Sequence, residues 1–217
     1  MDQQGNRIGM SVIGVVVCAI SVGLFKRAAF GVDPFQSLMA GMNEVVPLSF
    51  GTMYTLASIC LLLFSLIADR HRIGIATFIN LFLVGYIVDF SHQTLLRLFP
   101  DLGVPGRAVM LIIAIVLMCF ASAFYFTADL GVSVYDAVAL ILSENWKVGP
   151  FKYVRIATDV ICVAGGVALY LLGGHKVSEI MAVAGPGTII TAFFMGPLID
   201  FFNRTAARPF LEGRSRS

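Results

Sequence analysis

Residues 45–68 are 24 consecutive positions without a charged side chain, and residues 8–25 are a second uncharged run of 18. A helix needs about 20 apolar residues to cross the hydrocarbon core of a bilayer. Inside that core each backbone polar group must be satisfied within the protein, which leaves helices or closed barrels as the spanning structures. Only 13% of the 217 residues are charged, and mean hydropathy is +0.89. A soluble domain carries about 25% charged residues, so this chain lacks the means to cover a surface in water. It reads as an all-α, polytopic membrane bundle whose first partner is the lipid bilayer.

Further runs follow the first two. A third crossing starts at Ile73 and extends past Asp89, a fourth covers residues 108–128, a fifth 151–172 and a sixth about 180–201. The first run is longer than a usual secretory signal and matches a later segment, so it is read as a structural helix. Asp69-Arg70-His71-Arg72 reads as a tight charged loop. The Arg-rich stretch 204–216 is expected to be mobile. The four cysteines, Cys18, Cys60, Cys119 and Cys162, lie inside apolar runs at no metal-ligand spacing and read as small buried hydrophobes.

Between the first two crossings, and again after the fourth, lies a segment too short to span. Gly31-Val32-Asp33-Pro34-Phe35-Gln36 opens the first and Gly131-Val132-Ser133-Val134-Tyr135-Asp136 the second. Asp33 is a good N-cap, Pro34 suits the first helical position, and Gln36 can reach back to complete a capping box. Ser133 and Asp136 repeat the device. Residues 33–46 as a helix measure about 21 Å against a core of about 30 Å. Each segment is either a half-helix entering the bundle or an amphipathic helix at the interface.

The halves align position by position. At an offset of 100, Met10/Met110, Ile13/Ile113, Ala28/Ala128, Gly31/Gly131 and Glu44/Glu144 are identical. At an offset of 111, Gly74/Gly185, Thr77/Thr188, Gly85/Gly196 and Asp89/Asp200 match, which places an 11-residue insertion around 173–184. Residues 1–103 and 104–203 therefore read as two three-helix repeats, with 204–217 as a basic tail. Three crossings per repeat invert the second copy, as in many secondary transporters. Nine Lys and Arg fall on the side holding both termini and five on the other, which predicts cytoplasmic termini.

Gly-Val-Asp-Pro-Phe at 31–35, Leu-Ser-Phe-Gly-Thr at 48–52, and Gly-Ile-Ala-Thr with Gly-Tyr-Ile-Val-Asp within 74–89 resemble the YczE/YyaS/YitT family of bacterial membrane proteins. The similarity covers nearly the whole chain and departs at the 173–184 insertion and at Val134, which replaces the first copy's proline. It implies a multi-pass protein of the bacterial inner membrane, with no established substrate.

Candidate chemistry lies where charge or polarity meets apolar sequence. A half-helix N-terminus presents free N–H groups and partial positive charge. Asp33 there disfavours an anion and suits a proton, a cation or an amino group; Ser133 leaves a neutral cap with Asp136 nearby. Asp33 and Asp136, if brought together, would raise each other's pKa and bind a proton or cation. Arg155 and Asp159 can pair at i, i+4, either as a structural ion pair or on a pathway. Thr77, Asn80, Thr188 and Thr191 can join helices or coordinate a solute. Asp89 and Asp200 read as interfacial acids or ion ligands. Gly185-Pro186-Gly187 is expected to break the sixth helix. The three histidines are scattered, and there is no metal spacing, nucleophile triad or phosphate loop, so no enzyme, cofactor or nucleic-acid role is expected. The reading is a small-solute transporter working by alternating access, with a non-transporting accessory or scaffold subunit as the alternative and homo-oligomerisation left open.

Overall fold

A computed structural model of the chain describes residues 3–69 and 73–215. Residues 70–72 of the charged loop and residues 216–217 of the tail lie outside the described residues. In chain order the helices are α1 (Gln3–Ala28), α2 (Pro34–Val45), α3 (Phe50–Asp69), α4 (Ile75–Leu98), α5 (Val104–Ala128), α6 (Val134–Leu140), α7 (Phe151–Leu172), α8 (Pro186–Phe202) and α9 (Arg208–Ser215). There is no strand among the described residues. Among the described residues, six segments are long and apolar enough to cross a membrane: Gln4–Ala28, Phe50–Asp69, Ile75–Leu98, Val104–Ala128, Tyr153–Leu172 and Val177–Met195. Their outer faces are strongly apolar, with Ile67, Phe90 and Leu172 among the most exposed side chains. That pattern suits lipid contact.

Local chemistry moves several boundaries from those expected. The second crossing begins at Phe50, not Val45, because Pro47 interrupts and Ser49 Oγ accepts the Thr52 N–H at 3.2 Å, opening the helix there. The sixth does not begin at Ile180 as an α-helix. A 3₁₀ turn, Val177–Ala182, precedes Gly185 and Pro186, and α8 starts at that proline. α6 keeps α-helical geometry for seven residues and then widens into a π-helical turn, Ile141–Asn145. The tail is also helical through Ser215. Ala207 is fully buried with Met10, Ala123 and Ala128, which anchors the chain just before α9.

α1 and α5 form the central pair and run antiparallel. Gly14 lies against Ala121 and Tyr125, Arg7 reaches the Ala128 carbonyl at one end, and Arg107 donates to the Ala28 and Ala29 carbonyls at the other, both at 2.7 Å. After each helix the chain turns through a left-handed residue and then a glycine: Ala29 and Gly31 (φ 93°), Asp129 and Gly131 (φ 106°). Positive φ is the conformation in which glycine avoids the Cβ penalty. Each glycine packs on the start of the other half's last helix. Gly31 touches Gly185 and Thr188, whereas Gly131 touches Gly74 and Thr77. Gly187 donates to the Phe30 carbonyl at 2.7 Å, and Ala76 to the Leu130 carbonyl at 3.1 Å.

The short helices pack crosswise as well. α2 lies parallel to the second half of α7, with Ser37 and Gly41 on Gly166 and Glu44 beside Gly173. α6 lies along the second half of α3, with Val134 by Leu62 and Asn145 bonded to Asp69 at 3.1 Å. Each starts deep in the bundle and returns to the face from which its chain entered.

Candidate functional site

The two short helices point their N-termini at each other. On α2, Asp33 is the N-cap and its carboxylate accepts the Gln36 N–H at 3.3 Å, with Pro34 opening the helix. The expected capping box is incomplete: Gln36 is 5% exposed, yet its Oε1 has no hydrogen-bond partner. On α6, Ser133 Oγ accepts the Asp136 N–H at 3.1 Å and donates to the Asp136 carboxylate at 2.7 Å. The second cap is therefore closed on itself.

Between them, Phe35 stacks on Tyr135 with ring centres 4.9 Å apart and planes at 19°. Tyr54 meets Phe35 edge-on at 5.7 Å and donates its hydroxyl to Asn80 at 2.9 Å. On Tyr135 lies the Arg155 guanidinium, 4.4 Å from the ring centre. Arg155 also forms an ion pair with Asp136 and another with Asp159, the latter at 3.2 Å. The Tyr135 hydroxyl donates to Asp159 at 2.6 Å. Asp159 is the ninth residue of the 22-residue α7, about 12 Å along its axis, and is 7% exposed. The cluster sits near mid-depth of the bundle.

Of the two acids expected to face each other, Asp136 pairs with Arg155. Arg155 pairs with Asp159 as well. Asp33 has no described Lys or Arg within ion-pair distance, and its carboxylate is half-buried. Among described side chains, the centre therefore holds three acids, Asp33, Asp136 and Asp159, against one guanidinium.

Other candidates lie elsewhere. Thr77 donates to the Val132 carbonyl at 2.7 Å and accepts the Gly74 N–H, so it fastens a turn of the opposite half. Thr188 accepts the Gly185 N–H and donates to the Val183 carbonyl, and Thr191 donates back to Thr188. Asp89 accepts the Gly51 N–H at 2.8 Å and so caps α3. Its counterpart Asp200 is exposed and pairs with Arg204 at 2.9 Å. Two clefts, of about 450 Å³ beside Arg27 and Arg107 and about 570 Å³ beside Met181 and Ile189, contain none of the central residues.

Sequence reasoning passed over Phe35, Tyr54, Tyr125 and Tyr135. Tyr125, 6% exposed, has a hydroxyl without a partner. A signal was present for two of them: Phe35 and Tyr135 are the same position at the offset of 100 that aligns the halves.

Comparisons with known proteins agree with a multi-pass membrane protein. The chain is 23% identical over 206 residues to an uncharacterized protein of Haemophilus influenzae, covering 94% of this chain and 87% of the relative. It is 21% identical over 204 residues to the uncharacterized protein YyaS of Bacillus subtilis, covering 94% and 96%. With the uncharacterized membrane protein YczE of the same organism it shares 23% identity over 192 residues, covering 87% and 81%. No solved structure matches. With residues 5–204 matched by its family model, the chain belongs to the family of unknown function DUF6198.

Proposed function

We propose that this protein carries a small solute across the bacterial inner membrane by alternating access, with its two halves as inverted repeats and the meeting point of α2 and α6 as the solute site. The observation that carries the reading is the N-terminus-to-N-terminus approach of two half-helices at mid-depth, lined by charged side chains. Charged residues inside a membrane are costly and usually mark a pathway. Discontinuous helices at the interface of inverted halves are where secondary transporters place their sites. The antiparallel α1/α5 pair and the exchanged Gly31–Gly185 and Gly131–Gly74 contacts support rocking of one half on the other. The packing of Ala207 with Met10 supports a topology with both ends on one face, and the Lys/Arg excess favours that face as cytoplasmic.

The test is reconstitution into liposomes, with currents or tracer uptake followed across cations, amino acids and organic acids. A cysteine pair at Leu38 and Gly165, where a Cβ meets only the end of the Leu38 side chain, should arrest uptake when oxidised and restore it on reduction, because α2 would be fixed to α7. Uptake of no solute, with binding of another membrane protein instead, would favour an accessory subunit, a role that a centre filled by the Phe35–Tyr135 stack also fits. Cysteines introduced near Gly5 and Gly213 should both be shielded from an outside reagent; labelling of one end alone would defeat the six-crossing topology.

A further inference from the structure

The two half-sites are built from equivalent positions and have unequal chemistry. In the second half every acid has a side-chain partner: Asp136 holds Arg155 and the Ser133 hydroxyl, and Asp159 holds Arg155 and the Tyr135 hydroxyl. In the first half Asp33 accepts backbone N–H donation from its own helix and pairs with no described cation. Beside it on the same turn, the Gln36 side-chain oxygen is 95% removed from solvent by residue exposure and has no donor. A buried acceptor without a donor is costly to leave unmade. A carboxylate in the bundle interior without a cation is costlier still.

We propose that Asp33 and Gln36 form the exchangeable half of the site and bind one small monovalent cation, while Asp136, Arg155, Asp159 and Tyr135 form a fixed half that does not release its partners. The inference rests on the reading of this centre as the solute site and names the class of solute. One positive charge answers the one carboxylate without a cation, and the Gln36 oxygen supplies a second ligand atom. The partial positive charge of the α2 N-terminus is already met by Asp33, so an anion gains nothing from it.

An equilibrium titration of the purified full-length protein in detergent tests this at constant pH and ionic strength. Lithium, sodium, potassium, ammonium and methylammonium chlorides are exchanged against N-methylglucamine chloride, and the melting temperature is read. At least one of the five should raise it saturably by several degrees, as a ligand specific to the folded state must. An alkali-metal response identifies an oxygen-ligated metal ion, and an ammonium response identifies an amine; both fit the proposal. Asp33→Asn should weaken the response at least tenfold. Asparagine caps a helix as well as aspartate, so that variant keeps the α2 start, and Asp33→Ser is a second capping variant with no charge. No response to any of the five in the wild type, or an undiminished response in both variants, would overturn the proposal. The transport reading fails separately: cation binding without liposome flux would sink it and leave this site standing. Flux undisturbed by Asp33→Asn would do the reverse.

Discussion

Phe35 and Tyr135 occupy equivalent positions in the two halves and stack on each other, 4.9 Å between ring centres. The contact is the point at which the two short helices touch. It also carries the Arg155 charge, lying on Tyr135, toward α2. Both rings are more than 90% buried. Phe35→Ala should cost roughly 3–5 kcal/mol, the usual range for deleting a buried aromatic ring. Tyr135→Phe keeps the stack and loses only the hydroxyl donated to Asp159, for which about 1.5–3 kcal/mol is expected. Melting of the two variants in one detergent checks the order, and a Tyr135→Phe loss as large as that of Phe35→Ala would show that the hydroxyl rather than the stack holds the helices together.

Arg155 has two acidic partners, whereas each acid shares one guanidinium. Removing Arg155 leaves two buried carboxylates without a counter-ion; removing Asp159 leaves Arg155 with Asp136. Breaking a buried pair by deleting one partner costs about 3–5 kcal/mol. Arg155→Met should therefore fall at or beyond the top of that range, and Asp159→Asn below it. Asp136→Asn should lie between, since the hydroxyl of Ser133 remains near the substituted amide. Thermal melts of the three variants test the ranking, and equal losses would mean that the network behaves as separate pairs.

Much of this architecture is legible in the sequence, and the reasons differ by feature. Uncharged runs mark crossings because the bilayer leaves a backbone few alternatives. Asp33 and Ser133 mark short helices because a cap is a local device. Arg155 and Asp159 are four residues apart and meet on any helix. Asp136 and Arg155 are 19 residues apart, and they meet only because α6 doubles back along α3 and puts its N-terminus beside α7. Helix ends at Phe50 and Pro186 were set by Ser49 and by Gly185-Pro186, turn chemistry finer than hydropathy resolves. The helical tail depends on Ala207, whose burial follows from Met10 and Ala128 being nearby in space.

The close passage of α2 over α7 depends on two glycines. A methyl group at Gly41 would overlap the Gly166 carbonyl, and one at Gly166 would overlap the Ser37 backbone. Because the obstacle is backbone, neither side can yield by changing a rotamer. Gly41→Ala should destabilise by about 1–3 kcal/mol through overpacking. Gly9, inside α1, has open space around its Cβ position, so Gly9→Ala should be neutral or gain up to about 1 kcal/mol from helix propensity. Gly41→Ala melting at or above the wild type would show that α2 stands further from α7 than the structure places it.

At the far end of α2, His175 lies between the fifth and sixth crossings and joins three elements. Its Nε2 lies 2.8 Å from the Glu44 carboxylate on α2, its Nδ1 lies 3.1 Å from Glu179, and its ring stacks on Tyr170 of α7 at 4.1 Å. The hydrogen bond to Glu44, followed by that to Glu179, raises the His175 pKa above its ordinary value near 6.5. A histidine whose pKa is higher folded than unfolded contributes stability that is fully present below the unfolded value and is lost as pH rises through the folded one. The melting difference between the wild type and His175→Gln should accordingly be largest below about pH 6.5 and shrink through the range above it. Removing Glu44 by Glu44→Gln should shorten that window more than Glu179→Gln does, because the Glu44 bond is the larger cause of the raised value. The check is a set of melts across pH for the three variants. A difference that grows toward alkaline pH would show that His175 is held neutral, with α2 fastened by something other than these carboxylates.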